Sequence, residues 1–164
     1  MLRDLVIKNR SFRGYDESRK ITQEELLGFV DLTRYTASSA NTQPLKYHIA
    51  YKKEEVDAIQ ALTKWAAALP QLSLPHPGQC PTGFIVICLD RGIAPNETAF
   101  LRDVGIAAQT ILLAAAEKGL GGCMIGNFNR AARKKLSSRR LAQTEIHAIT
   151  GMKRERCTMF PNVP

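Results

Sequence analysis

The sequence predicts an α+β fold in which helices pack on a mixed sheet. Segments with the apolar spacing of helices alternate with short segments that have the pattern of strands, and there is no internal repeat. With 164 residues, of which 45% are hydrophobic and 23% charged, the chain has the composition of one globular domain with one core. We therefore expect a single domain over residues 1–164.

Two helices are predicted in the first 36 residues, with a polar segment between them. Residues 1–9 have the spacing of a short helix, and the segment NRSFRGYD that follows is rich in turn-forming residues. The second helix lies within ITQEELLGFVDLTRYT, where Thr22 and Glu25 have the spacing of a capping box. It leads directly into SSANTQP, residues 38–44. That segment contributes little apolar burial, so it is either an ordinary turn or a ligand-binding loop.

A strand, a helix and a long loop are predicted next. KYHIAYK, residues 46–52, alternates like a strand, and EEVDAIQALTKWAAAL, residues 54–69, repeats apolar residues with helical spacing. Residues 70–82 contain four of the eight prolines and cannot form regular structure. Long loops of this kind often cover a binding site, so we predict that residues 70–82 act as a lid.

The second half of the chain begins with a buried strand and a long helix. GFIVICLD, residues 83–90, is apolar enough for a fully buried strand, and residues 98–119 predict a nearly all-apolar helix closed by Gly119. Such a helix needs cover on most sides, either at the centre of the domain or at a subunit interface. LGGCMIGNF predicts a glycine-bearing strand, and residues 129–136 predict a short basic helix. EIHAIT predicts a last strand, which is followed by a basic tail over residues 151–164.

The net charge of +8 is confined to the C-terminal part of the chain. Residues 1–128 hold 14 Lys and Arg against 13 Asp and Glu, whereas residues 129–164 hold 9 against 2. This distribution favours a solvated basic segment, with contact to phosphate or nucleic acid as the alternative. No aromatic residue lies among these basic residues before Phe160, which argues against stacking on single-stranded nucleic acid.

The sequence shows neither a membrane span nor a metal site. No apolar stretch approaches the roughly 18 residues that a span needs, and the charged N-terminus lacks the apolar core of a signal peptide. The four cysteines form no C-x-x-C pair and have no histidine at zinc spacing. We therefore expect a cytoplasmic protein with reduced thiols and no bound metal.

Three separated patches are the candidate ligand-binding segments. In N-R-S-F-R, residues 9–13, two arginines bracket a serine, and their guanidinium groups can hold phosphate oxygens; the alternative is a solvated helix end. In SSANTQP, the amides of Asn and Gln can bind the edge of a heterocycle that carries C=O and N–H groups. In GLGGCMIG, residues 119–126, glycines let the backbone approach a flat ligand, although a tight helix-to-strand connection explains Gly119 equally well.

No catalytic constellation of side chains is visible in the sequence. His48, His76 and His147 are predicted as structural or surface histidines, and no G-x-G-x-x-G register fits a dinucleotide site. Ser38 and Ser39 lack a G-x-S-x-G setting. Any chemistry would therefore come from a cofactor, which phosphate-binding arginines and ring-edge amides suit.

The three patches carry a family resemblance. Their order and spacing resemble the signatures of the FMN-dependent nitroreductase family of NAD(P)H:acceptor flavin oxidoreductases. The matching segments are NRSFRGYD, ASSANTQP and DVGIAAQTILLAA with KGLGGCMIGNF. The resemblance covers residues 1–150 and implies a nitroreductase-like fold with a central, mixed and mostly antiparallel sheet flanked by helices. It also implies an obligate homodimer with FMN at the subunit interface. The implied activity is ping-pong electron transfer from NADH or NADPH to a nitroaromatic, a quinone or a similar small acceptor.

The resemblance also assigns residues to the FMN site. The first patch would bind the phosphate and ribityl chain, the second would complete the site, partly from the other subunit, and the backbone of the third would lie beside the flavin ring. Gln43 is either part of the site or only braces the loop, and Lys46 is a candidate for stabilising the reduced ring. The implied cofactor-binding residues are Arg10, Ser11, Arg13, Ser38, Ser39, Asn41, Gln43, Gly122, Ile125 and Gly126.

The sequence also departs from the family pattern. Ala37 and Leu45 stand where the family commonly has Pro and Trp, and EIHAITGMKRER replaces a G-x-P turn with a following basic residue. Lys153 and Arg154 are the candidates for the phosphate contact of that basic residue. Two alternatives to an enzyme stay open: a flavin-binding protein without turnover, and a protein that binds nucleic acid or another polyanion through its basic C-terminal segment.

Overall fold

The computed structural model describes residues 1–66, 68–69, 71–94, 96–127, 146–150 and 152–153. Within them the chain forms the helices α1 (Leu2–Lys8), α2 (Gln23–Asp31), α3 (Lys53–Gln60) and α4 (Glu97–Glu117). The strands are β1 (Leu45–Ala50), β2 (Phe84–Leu89), β3 (Leu120–Gly121), β4 (Met124–Ile125), β5 (Ile146–Thr150) and β6 (Met152–Lys153). None of the helices in these ranges has the length and apolarity needed to cross a membrane. The predicted α+β class is confirmed.

The strands form an antiparallel sheet with β2 inside it. The strand order is β1-β2-β5-β4, and each neighbouring pair is antiparallel, while β3 and β6 pair separately. Every residue of β2 is buried, as its continuous apolar sequence predicts. Among the described residues, the one parallel pairing is the isolated bridge between Ser11 and Gly122, which lies outside both sheets.

Helix α4 lies in the core of the domain. It contacts α1, α2, β2 and β5, and Ile111 is fully buried in a cluster that it shares with residues of α2 and β2. Elsewhere on the helix, Leu101 is 50% exposed on this chain and Ile106 39%. The helix ends at Glu117, and Gly119 has the left-handed φ of 72° expected of a glycine that closes a helix. The helix is therefore central and still has uncovered apolar residues.

The start of α2 is capped as the sequence predicts. The Thr22 hydroxyl accepts a hydrogen bond from Glu25 N at 3.2 Å, and the Glu25 carboxylate accepts one from Thr22 N at 2.9 Å. The helix ends earlier than predicted, at Asp31, and a 3-10 turn continues it. The hydroxyls of Thr33 and Thr36 each donate to the carbonyl three residues before them at 2.7 Å, and such bonds compete with the helical pattern.

The third predicted helix is wrong beyond Gln60, where α3 ends. Lys64 N donates instead to the carbonyl of Asn127 at 2.8 Å, which ties this segment to the residue that directly follows the third patch. Trp65 is only 8% exposed and packs edge-on against Tyr15, with 5.9 Å between the ring centroids. Burial of this large ring against a distant part of the chain outweighs the helical spacing of the alanines that follow it.

The predicted lid, residues 70–82, contains neither helix nor strand among its described residues. Its last residues are tied to the segment that follows the first patch. Cys80 N donates to Glu17 Oε1 at 2.6 Å, and the Thr82 hydroxyl donates to the carbonyl of Arg19 at 3.0 Å. This end of the loop is therefore anchored on the N-terminal segment of the chain.

The strand predicted over LGGCMIGNF is split in two. β3 pairs with β6 and β4 with β5, whereas Gly122 between them bridges Ser11. Met152 and Lys153, predicted as the start of the basic tail, form β6. The predicted basic helix over residues 129–136 and the rest of the tail, including Arg154, lie outside the described residues.

Candidate functional site

The first and third patches lie side by side in the fold. Ser11 and Gly122 form a parallel β-bridge, and Phe12 N donates to the carbonyl of Gly122 at 3.0 Å. The Phe12 ring also fills the space beside Gly121, where a side chain would collide with it. The arginine-containing segment is therefore fixed against the glycine segment, as binding of one ligand by both segments requires.

A cleft of about 150 Å³ opens beside these two segments. We call it the arginine cleft; it is lined by Arg13, Lys64, Trp65, Ala66 and residues 123–127. Arg13 and Lys64 give it two positive charges, and its lining, as far as the chain is described, contains no acidic side chain. A Cβ placed on Gly126, in its wall, would meet no atom within 4 Å. The cleft therefore suits an anionic ligand with a flat part that approaches the backbone closely.

The predicted residues of these two segments differ in what they can offer a ligand. Arg13 lines the arginine cleft, whereas Arg10 is exposed and does not line it. Burial raises the pKa of the Cys123 thiol, while Arg13 and a hydrogen bond with the Ser11 side chain oppose that shift. The Ile125 side chain is buried in the core, so only its backbone can contact a ligand.

The second patch is held by a buried carboxylate on α4. The Ser38 hydroxyl donates to Asp103 Oδ2 at 2.7 Å, and the Ser39 hydroxyl and backbone N–H donate to Asp103 Oδ1 at 2.8 and 3.1 Å. Asp103 is only 3% exposed. Burial alone would raise the pKa of Asp103, but the bonds from the two serines outweigh it and hold the pKa below its usual range. The hydroxyl protons of Ser38 and Ser39 are thus bound within the chain itself.

The loop after Ser39 has a strained backbone. Ala40, Asn41 and Gln43 have φ angles of 51°, 52° and 51°, a left-handed conformation that residues other than glycine rarely adopt. Gln43 N donates to the Ser38 hydroxyl at 2.9 Å, and Gln43 Nε2 donates to Asn41 Oδ1 at 2.9 Å. These two hydrogen bonds brace the loop, and the predicted ligand contact of Gln43 stays a prediction. Strain of this kind is typical of ligand-binding segments.

A second cleft, of about 160 Å³, borders the strained loop. We call it the loop cleft; it is lined by Thr33, Arg34, Thr36, Ala37, Ser38, Gln43, Leu45, Tyr47 and Asp103. Burial raises the pKa of the Tyr47 hydroxyl above its usual range. No described residue lines both clefts, so in the described part of the chain the loop cleft and the arginine cleft are separate.

The residues of these sites that sequence analysis did not single out include Asp103, Lys64 and Trp65. Asp103 has a signal in the sequence, because it is a carboxylate within a nearly all-apolar helix and must find hydrogen-bond donors there. Lys64 and Trp65 have no such signal in the sequence. Lys46, the predicted candidate for stabilising the ring, is ion-paired with Asp90 and lines neither cleft.

A known family accounts for nearly the whole chain. The model of the Nitroreductase family matches residues 6–160. The chain belongs to the nitroreductase family. The resemblance carried by its three patches is thereby confirmed. A protein from Archaeoglobus fulgidus, provisionally named an NADH dehydrogenase/NAD(P)H nitroreductase, is 24% identical over 132 residues, which span 80% of this chain and 70% of that protein.

Solved structures of this family share the fold of the chain. A provisionally named nitroreductase from Desulfovibrio desulfuricans, crystallised in complex with FMN, has a TM-score of 0.77 at 21% identity and covers 99% of this chain and 91% of its own. A similarly named protein from Exiguobacterium sibiricum, also in complex with FMN, has a TM-score of 0.76 at 16% identity. The match covers 100% of this chain and 92% of that protein. A nitroreductase family protein from Clostridium difficile has a TM-score of 0.73 at 21% identity, and the match covers 100% of this chain and 93% of that protein. The nitroreductase-like fold is therefore confirmed.

Proposed function

We propose that this nitroreductase-family protein is an FMN-dependent oxidoreductase. It takes electrons from NADH or NADPH and passes them to a nitroaromatic, a quinone or a similar small acceptor by a ping-pong mechanism. The observation that carries the proposal is the arginine cleft, where the positive charge of Arg13 adjoins the glycine segment. The FMN complexes of two proteins with the same fold support it.

The donor set of the arginine cleft fits FMN. FMN combines an anionic phosphate with a flat ring, and the cleft combines two cations, Arg13 and Lys64, with an open wall at Gly126. The bound cofactor supplies the exchange of electrons between donor and acceptor. The phosphate and ribityl chain would be bound by Arg10, Ser11 and Arg13, and the ring would lie beside the backbone of Gly122, Ile125 and Gly126.

The protein's part in the reaction is to bind and orient the cofactor and to set the charge around it. Lys64 is a lining residue of the arginine cleft, and its ammonium group would stabilise negative charge that develops at the ring edge. We assign to Lys64 the role predicted for Lys46, because Lys46 lines neither cleft and is ion-paired with Asp90. The amides of Asn41 and Gln43 would bind the polar edge of the ring.

We also propose that the FMN site is completed across a homodimer. In one chain, the strained loop borders the loop cleft and not the arginine cleft. Helix α4, which carries the loop's anchor Asp103, leaves Leu101 half-exposed, and uncovered apolar residues of this kind suit burial against a partner. The loop of one subunit would then meet the arginine cleft of the other.

The first test is the absorbance spectrum of protein purified with excess FMN, recorded before and after anaerobic addition of NADH and then NADPH. The expected result is a flavin band that stays with the protein and bleaches, which also identifies the preferred donor. Protein that retains no flavin and oxidises neither nucleotide refutes the proposal. Flavin that is retained but never reduced would favour a binding protein without turnover.

Mixed dimers test whether the site is shared between subunits. Arg13→Ala and Asn41→Ala each remove one side chain, from different patches, and each variant alone should be nearly inactive. In a mixed dimer isolated through two different tags, a shared arrangement places both changes in one site and leaves the other site intact. About half of the wild-type activity should then return. A site built within one subunit predicts no recovery.

A further inference from the structure

We propose that Asp103 is a positioning residue of this site: its carboxylate holds loop 38–43 in the strained conformation that presents Asn41 and Gln43 to the ligand. The identity of the ligand as a flavin rests on the proposed function, whereas the hold on the loop does not. Asp103 lies 65 and 64 residues beyond the two serines that it binds, so the contact joins α4 to a distant loop.

Asp103 and the loop satisfy each other's hydrogen-bonding needs. A carboxylate that is almost fully buried is costly unless its oxygens accept hydrogen bonds. Three donors of the loop meet that need, namely Ser38 O–H, Ser39 O–H and Ser39 N–H. Hydrogen bonds to a charged acceptor are about twice as strong as neutral ones. A displaced loop would leave the buried charge unpaired, so the loop is strongly held where it is.

The hold reaches the strained residues through Ser38. A hydroxyl group has one proton, and Ser38 donates it to Asp103 at 2.7 Å. A lone pair of the same oxygen accepts the N–H of Gln43 at 2.9 Å. The carboxylate therefore orients the hydroxyl so that a lone pair faces Gln43, whose φ is 51°. Asp103, Ser38 and Gln43 form a chain of hydrogen bonds that closes the loop.

The packing of the strained residues does not explain their conformation. Ala40, Asn41 and Gln43 are all exposed, so burial contributes little to holding them in left-handed backbone. Strain that persists at exposed residues needs support from elsewhere, and it is characteristic of preorganised ligand contacts. The Asn41 and Gln43 amides, joined at 2.9 Å, are thereby presented in a fixed mutual orientation.

The test uses Asp103→Asn, which keeps the side-chain shape and removes the charge. Asp57→Asn is the matched control, because Asp57 is an exposed carboxylate paired with Lys53 of its own helix. Amide hydrogen exchange is measured by NMR in flavin-free protein, and FMN affinity by fluorescence titration. In Asp103→Asn we expect faster exchange at Ser39 and Gln43, unchanged exchange in β2, and an FMN dissociation constant raised about ten- to a hundredfold. The control should change none of these.

Two serine variants keep the inference testable if Asp103→Asn does not fold. Ser38→Ala removes the link to Gln43 and should release the Gln43 amide to exchange. Ser39→Ala keeps that link and should leave the Gln43 amide protected. A carboxylate with a merely structural role would instead change exchange in β2 together with the loop, because the whole domain would open more often.

Three results would overturn the inference. If amide exchange in loop 38–43 is equally fast in Asp103→Asn and in the wild type, the carboxylate does not hold the loop. Equal release of the Gln43 amide in both serine variants contradicts the hydrogen-bond chain. A released loop with unchanged FMN affinity removes the positioning role. If the wild-type protein binds no FMN, the proposed function fails, and exchange of the Gln43 amide still decides whether Asp103 holds the loop.

Discussion

Gly121→Ala should displace the arginine-containing first patch, because the new methyl group would collide with Phe12. A Cβ built on Gly121 lies 2.5, 2.8 and 3.1 Å from three carbons of the Phe12 ring, and the first two distances are shorter than such atoms approach one another in proteins. Phe12 packs against the cluster that contains Tyr15 and Trp65, so its ring has little room to move aside. The added methyl group must therefore shift the backbone of residues 10–13 or expel the ring from its place.

The size of the effect follows from the packing. A methyl group forced into a filled site typically costs about 1–3 kcal/mol. We therefore expect the free energy of unfolding of the flavin-free protein to fall by about 2 kcal/mol, measured by guanidinium chloride denaturation. Because residues 10–13 carry the predicted phosphate contacts, the FMN dissociation constant, measured by fluorescence titration, should rise as well.

Gly126→Ala is the matched control for the packing argument. Its Cβ would meet no atom within 4 Å, and Gly126 is not among the glycines with positive φ. Its free energy of unfolding should therefore change by less than about 0.5 kcal/mol. Because Gly126 lines the arginine cleft, the same methyl group should nevertheless weaken FMN binding. A Gly121→Ala protein as stable as the wild type refutes the packing argument, and unchanged FMN affinity in Gly126→Ala refutes the placement of the ring.

Further predictions concern the cap of α2, the cations and pH. Thr22→Ala removes a capping hydroxyl and should lower the free energy of unfolding by about 1 kcal/mol in guanidinium chloride, whereas Thr22→Ser should change it little. Lys64→Ala should weaken FMN binding in a fluorescence titration, and Lys46→Ala should leave it unchanged. The hydrogen bond from Arg19 lowers the pKa of Glu25, so this carboxylate stabilises the fold above its unfolded pKa, and the contribution is lost as pH falls through the lower folded value. Glu25→Gln should therefore lower the melting temperature at pH 7, and the difference from wild type should shrink below about pH 4.

Local patterns predicted the elements that local interactions decide. The capping box at Thr22, the apolar run of β2 and the glycine that closes α4 all depend on neighbours in sequence, and all three are observed. The end of α3 was predicted wrongly, because Trp65 is drawn out of the helical pattern by a contact with Tyr15. The bridge between Ser11 and Gly122, which joins two of the three patches, likewise depends on contacts that no local pattern records.

The hydrogen bonds of loop 38–43 also depend on a contact with a distant residue that no local pattern records. The family resemblance places Ser38 and Ser39 in the cofactor site, whereas in the fold both hydroxyl groups donate to Asp103. A lone pair of Ser38 is also taken by the N–H of Gln43. The Ser39 oxygen, having donated its proton, can still accept a hydrogen bond but cannot donate one without leaving Asp103. A ligand that meets this loop should therefore turn an N–H group toward Ser39, and the pyrimidine edge of a flavin, which carries such a group between two carbonyls, satisfies that condition.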